Sequence, residues 1–133
     1  MENSKHSNVL IIGGGCAGIA VASRLHSLKS DLNISIIEPS DKSLYQAAWT
    51  LVGAGAYDKD KTIKSMSEVM PSYVNWIKSH AQSFSPESNS VKTSDGDYTY
   101  DYLVVCPGLK LNFDGVAGLK ESLGKNNVCT NYD

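Results

Sequence analysis

The chain has 133 residues, enough for one domain with a real core. Twelve Lys and Arg against 14 Asp and Glu leave a net charge of −2. There is no basic stretch of the kind nucleic acid requires, and no apolar run long enough to cross a bilayer. The three cysteines, Cys16, Cys106 and Cys129, form no CxxC pair, which argues against a disulfide scaffold and against a zinc site. His6, His26 and His80 share no metal-ligand spacing, so no metal site is expected.

The predicted elements follow in order. Residues Met1 to Asn8 are short and polar and carry no visible presequence. Asn8 to Ile12 reads as a strand buried on both faces. A glycine run follows, and from Cys16 the apolar spacing turns helical, with Ile19, Ala22, Leu25 and Leu28 as the stripe. Asn33 to Glu38 is a second buried strand, ended by Pro39. This strand–helix–strand span has the length of a parallel βαβ unit. Leu44 to Ala56 is apolar and punctuated by glycine, suiting a buried helix or a pocket-lining loop. Ile63, Met66, Val69 and Met70 suit a short amphipathic helix before Pro71. Tyr73 to Phe84 reads as one further strand, with a turn at Pro86 to Asn89. Val91 to Thr93 and Asp97 to Tyr100 read as a hairpin with a type I′ signal at Asp95-Gly96. Tyr102 to Cys106 is another buried strand, stopped by Pro107-Gly108, and the remainder to Asp133 is loop-rich.

The strongest chemical signal is Gly13-x-Gly15-x-x-Gly18, placed between a strand and a helix. Gly13 allows the tight turn out of the strand. Gly15 lets a pyrophosphate approach the backbone, and Gly18 lets the helix pack against the sheet. The backbone N–H groups of Cys16 and Ala17 then face the phosphate from the helix N-terminus. Glu38 stands 20 residues after Gly18, at the end of the second strand. A carboxylate there accepts the hydroxyls of an adenosine ribose and repels a 2′-phosphate, which argues against NADP.

The fingerprint alone does not separate FAD from NAD. The segment YTYDYLVVCPG, ending at Gly108, resembles the second FAD-contact motif of flavoproteins with two dinucleotide-binding domains. Cys106-Pro107-Gly108 stands where Ala-Thr-Gly is commoner. There is no Cys-x4-Cys pair between Glu38 and Met70, which discards the disulfide reductases. The stretch YQAAWTLVGAG, from Tyr45 to Gly55, stands there instead, flanked by Glu38-Pro39-Ser40, Met70-Pro71-Ser72 and Trp76-Ile77-Lys78. Together these resemble the sulfide:quinone oxidoreductase family, in its eukaryotic, mitochondrial-type branch, over nearly the whole chain.

That resemblance implies a Rossmann-like α/β FAD-binding unit with a small antiparallel hairpin layer. Residues 1–133 would be the incomplete N-terminal part of an FAD/NAD(P)-binding domain. It implies FAD as cofactor, bound through the Cys16 and Ala17 backbone, Glu38, Gln46 and the main chain of Ala81. Sulfide and ubiquinone are the implied substrates, and the mitochondrial inner membrane the implied location. The redox cysteine pair, the quinone site and the membrane-attaching helices are expected beyond Asp133. Within the chain no catalytic residue is assigned. Cys129 is the one candidate, near a redox-cysteine position of the bacterial-type branch. Two other readings stand beside this one: a flavoprotein like the type II NADH:quinone oxidoreductases, and a catalytically inactive nucleotide-binding fragment.

Overall fold

In the computed structural model, residues 5–130 and 132 are described. The chain divides into two compact units: Met1–Ser43 with Lys64–Gly108, and Leu44–Ile63 with Leu109–Asp133.

The first unit is built on His6–Ile12 (β1), Cys16–Leu28 (α1) and Ile34–Ile37 (β2). After Lys42–Leu44 (β3), the chain makes Trp49–Gly53 (α2). Ile63–Ser65 (β4), which pairs with β3, and Met66–Val69 (α3) follow. Asn75–Ile77 (β5), Ala81–Ser85 (β6), Ser90–Thr93 (β7) and Gly96–Val105 (β8) complete the main sheet. Leu119–Ser122 (α4) lies in the second unit. The six-stranded sheet runs β5-β2-β1-β8-β7-β6, with β5, β2, β1 and β8 parallel and the last pairings antiparallel. A βαβ unit with a small antiparallel layer is therefore what the chain forms.

The apolar runs of β1 and β2 are buried on both faces, as a covered parallel sheet requires. One face carries Val9, Ile11, Ile34 and Ile36 under Ala22, Val21 and Leu25 of α1. The other carries Leu10, Ile12 and Ile37 against Ile77, Val91 and Tyr100. The helical stripe therefore runs through Gly18, Val21, Ala22 and Leu25, while Leu28 is 67% exposed at the helix end. Two hydroxyls sit inside this apolar frame. Ser7 and Ser35 bond each other at 2.6 Å, and the Asn75 amide donates to Ser35 Oγ.

Three expectations are corrected and a fourth is narrowed. Tyr73–Phe84 is not one strand. It breaks into β5 and β6, which lie at opposite ends of the sheet order. The four residues from Ile77 to Ala81 can span at most about 14 Å, while five flat strand spacings need about 24 Å. The sheet must therefore curl until its two edges approach, and Ser79 fixes the crossing by a 2.7 Å bond to Ser94 beside the hairpin turn. Asp97–Tyr100 and Tyr102–Cys106 are one continuous strand, β8, which pairs first with β7 and then with β1. The hairpin exists, but its turn is not type I′. That type needs positive φ at both central residues, and here neither Ser94 nor Asp95 has it; the positive φ, 123°, falls on Gly96. Thr93 Oγ1 stabilises the turn instead, accepting from Asp95 N and donating to Gly96 O. Finally, Leu44–Ala56 follows the pocket-lining alternative and not the buried helix: Ala48 is buried, Leu44, Tyr45 and Leu51 are about half exposed, and Leu44, Trp49, Val52 and Gly53 line a recess.

The short helix before Pro71 forms as Met66–Val69, entered through a capping box in which Glu68 accepts from Ser65 N at 3.0 Å. Pro86–Ser88 is a single 3₁₀ turn closed by Asn89 with φ 46°.

In the second unit, Leu44, Trp49, Val52, Thr62, Ile63 and Tyr132 line a recess of about 280 Å³. Trp49 and Tyr132 meet edge to face at 6.1 Å. No helix among the described residues is long and apolar enough to cross a membrane.

Candidate functional site

The site lies where the sheet reverses direction of growth. From β1 the chain passes through α1 to β2 on one side, whereas β8 lies on the other. In open α/β sheets, ligands bind in the crevice outside the carboxyl ends of the strands at this point. The three strand ends are tied together there. Gly13 N donates to Ile37 O at 2.9 Å, and Cys106 N donates to Ile12 O at 2.8 Å.

The glycines divide the work. Gly13 has φ 104°, and a β-carbon on it would stand 2.2 Å from the Cys106 carbonyl oxygen. A β-carbon on Gly18 would stand 1.9 Å from the Gly13 carbonyl oxygen, so α1 can approach β1 only with glycine there. On Gly15 a β-carbon would meet nothing within 4 Å. The space above Gly15 is open, and the first turn of the 13-residue helix has neither a capping side chain nor an acid. Its N–H groups, at Cys16 and Ala17, keep their donor capacity for an anion, and the helix dipole adds a partial positive charge.

Glu38 follows β2 directly. Its Oε2 accepts from Gly14 N at 2.8 Å, and its Oε1 accepts from Ser40 N at 2.8 Å. The ladder holds its backbone too: Glu38 N donates to Ile77 O at 3.0 Å, and the Trp76 indole Nε1 donates to Glu38 O at 2.8 Å. A carboxylate offers about four acceptor positions, so two bonds leave room for the two hydroxyls of a ribose. The residues thus fit an adenosine diphosphate group, with the loop for the phosphates and Glu38 for the sugar.

Gly13, Gly15, Cys16, Ala17, Gly18 and Glu38 are brought together as the spacing predicts. Gly108, with φ 75° and open space around it, follows Cys106-Pro107 beside Gly13. Cys106 lies 3.9 Å from the Gly13 carbonyl oxygen, and burial pushes its thiol pKa up. Ala81 does not lie in the strand that flanks Glu38. It heads β6, four residues beyond Ile77, and packs against the Leu10 and Ile12 core. Gln46 opens a 3₁₀ turn in the second unit, and Cys129 is an exposed free thiol in that unit. Sequence reasoning missed Gly14, Ser40 and Trp76 as partners of Glu38. Gly14 stands inside the fingerprint at a position the motif leaves free, and a β-carbon there would lie 2.8 Å from the Glu38 side chain.

A strand, a glycine turn into an uncapped helix, and an acid at the end of the next strand define a dinucleotide-binding βαβ unit. Residues 7–133 match the family described as pyridine nucleotide-disulphide oxidoreductase, and the chain belongs to that family. Within it, the chain is homologous to the N-terminal segment of the sulfide:quinone oxidoreductases. It is 46% identical over 128 residues to the mitochondrial sulfide:quinone oxidoreductase of Dictyostelium discoideum, covering 95% of this chain and 28% of that protein. It is 36% identical over 128 residues to the mitochondrial enzyme of that name from Mus musculus, covering 96% of this chain and 28% of that protein. The crystal structure of the Aquifex aeolicus sulfide:quinone oxidoreductase superimposes with a TM-score of 0.73 at 32% identity, covering 96% of this chain and 29% of that one. The chain therefore spans a little over a quarter of the length of these relatives.

Proposed function

We propose that the chain binds FAD through its adenosine diphosphate half, as the N-terminal part of an FAD-binding domain. In this reading, it is the cofactor-holding segment of an enzyme that oxidises sulfide and reduces ubiquinone. The observation that carries the reading is the pairing of an open, uncapped loop at Gly15 with a fixed carboxylate at Glu38. The Cys16 and Ala17 N–H groups receive the pyrophosphate, and Glu38 receives the ribose hydroxyls. The main chain of Ala81 and Gly108 are proposed as further cofactor contacts. Flavin bound there supplies the two-electron chemistry that joins sulfide oxidation to quinone reduction.

The chain's own contribution is to bind and to orient. Gly13 and Gly18 set the loop, and Glu38 sets the sugar. The raised pKa of Cys106 keeps that thiol protonated, which suits a packing residue and not a sulfur nucleophile. Cys129 is assigned no role in sulfur transfer. The mitochondrion is the proposed location, from the names of the relatives.

The test is the visible absorbance of the purified chain after incubation with FAD and removal of free flavin. A retained flavin spectrum at a molar ratio near one supports the reading; a chain that returns colourless at saturating FAD overturns it. Sulfide-dependent quinone reduction by the chain alone is expected to be undetectable.

A further inference from the structure

We propose that Trp76 is a positioning residue for the ribose carboxylate of Glu38, and through it sets selectivity for a nucleotide with an intact 2′-hydroxyl. The proposal rests on the adenosine diphosphate reading of the loop given above.

Glu38 stands at a strand end, where ladder bonds normally run out and a backbone carbonyl is left to water. Pro39 follows it and holds Glu38 in the extended region, but has no N–H to give a returning bond. Four hydrogen bonds nevertheless fix Glu38. Glu38 N donates to Ile77 O, Gly14 N and Ser40 N donate to its two carboxylate oxygens, and the Trp76 indole N–H donates to its carbonyl. Three of these come from backbone groups. The fourth comes from a side chain, so it is the one a substitution can remove.

The indole is itself held. Trp76 is half-buried in β5 in register with Ile36, one residue before the Ile77 carbonyl that takes the Glu38 N–H. The Lys78 ammonium lies 5.9 Å from its ring centroid and is paired with Asp41 at 2.5 Å. A cation over an indole face is attractive, and here Asp41, the residue that follows Glu38-Pro39-Ser40, holds the Lys78 ammonium in place. The bond at the Glu38 carbonyl fixes the Glu38–Pro39 peptide, and the proline ring's fixed φ carries that orientation on toward Ser40. It therefore sets where the Ser40 N–H points, and with it the angle of the carboxylate. Loss of the indole N–H frees that peptide, so the carboxylate no longer presents its open lone pairs to both ribose hydroxyls.

Loss of one such bond is worth roughly three- to tenfold in an equilibrium constant. The experiment measures ADP and 2′-deoxy-ADP binding to the full chain by calorimetry, with and without Trp76→Phe. The native chain is expected to prefer ADP, and W76F to lower that preference by about three- to tenfold while binding 2′-deoxy-ADP as before. Replacing Trp76 with benzothienylalanine, in which sulfur stands in place of the N–H, keeps the ring volume and tests the bond if W76F folds poorly. The same loss of preference is expected. A merely structural role would weaken both nucleotides together and leave their ratio unchanged, and that result overturns the proposal. If the native chain binds neither ADP nor FAD, the nucleotide reading itself is wrong and the proposal falls with it. If it binds both nucleotides equally, only the ribose role of Glu38 and Trp76 is lost.

Discussion

The Glu38 carboxylate and the Gly14 amide, 24 residues apart, share a hydrogen bond of 2.8 Å. It joins the end of β2 to the glycine loop, so the group placed for the sugar and the group placed for the phosphates form one rigid unit. Glu38→Gln keeps the size but puts an NH₂ where an acceptor stood, opposing either the Gly14 or the Ser40 N–H. Hydrogen bonds to charged groups contribute about 1.5–3 kcal/mol, so FAD affinity should fall roughly ten- to a hundredfold. Titration by flavin fluorescence checks this. Unchanged affinity in E38Q would remove Glu38 from the site.

Gly15 and Gly18 should respond to the same substitution in opposite ways. Gly18→Ala drives a β-carbon to 1.9 Å from the Gly13 carbonyl, and overpacking of this kind costs about 1–3 kcal/mol or more. Its urea midpoint should drop. Gly15 has φ −75°, which alanine adopts freely, and nothing within 4 Å of the new atom. Gly15→Ala should keep the unfolding free energy in urea to within about 1 kcal/mol, as helix-cap replacements of this type do. FAD binding should nevertheless fall at least tenfold, because the methyl group fills the approach of the pyrophosphate. Equal stability losses in the two variants would show that the loop is shaped for folding alone.

The three thiols should react at different rates. Cys16 and Cys129 are exposed, whereas Cys106 is partly buried and its pKa is raised by desolvation. A raised pKa means less thiolate at pH 8, so Ellman's reagent should label two cysteines quickly and Cys106 last. FAD should protect Cys16, which lies in the loop. The Cys106 contribution to stability is complete below the unfolded-state thiol pKa and is lost as pH rises through the folded value. Cys106→Ala should therefore flatten the alkaline limb of stability against pH. If that limb is as steep in C106A, the ionisation of Cys106 does not govern it.

Ser7 and Ser35 are each 1% exposed, and their hydroxyls satisfy one another. Ser35→Ala orphans the Ser7 hydroxyl and the Asn75 contact, at a cost of about 1–3 kcal/mol. Removing both hydroxyls in S7A/S35A should cost less than the two single changes added together. Strict additivity in urea unfolding would show that the pair is not coupled.

The glycine loop and the strands that carry it were legible because each rests on a local requirement. Gly13 needs positive φ, Gly18 needs close packing, and β1 and β2 need apolar residues on both faces. The break between β5 and β6 was not legible. Val74, Trp76 and Phe84 alternate in part, no glycine or proline marks the crossing between them, and the bond that holds it joins Ser79 to Ser94, 15 residues on. β8 was read as two strands because Asp101 interrupts its apolar pattern. In the structure Asp101 is exposed and pairs with His6 and Asn8, so it does not end the strand. The composition of Leu44 to Ala56 suits either a buried helix or a pocket-lining loop, and composition cannot say which apolar residues find a partner. The role of Trp76 beside Glu38 has no local signature. Its bond to Glu38 depends on the register of β5 against β2, which no local pattern records.

The central claim is that Gly13 to Gly18 and Glu38 form one site for the adenosine diphosphate half of FAD. Amide chemical-shift mapping of the ¹⁵N-labelled chain with FAD tests it most directly. Gly14, Gly15, Cys16, Ala17, Gly18, Glu38 and Ser40 are expected to shift together and saturate with one dissociation constant. Saturable shifts that leave this loop untouched, or no shifts at saturating FAD, would contradict it.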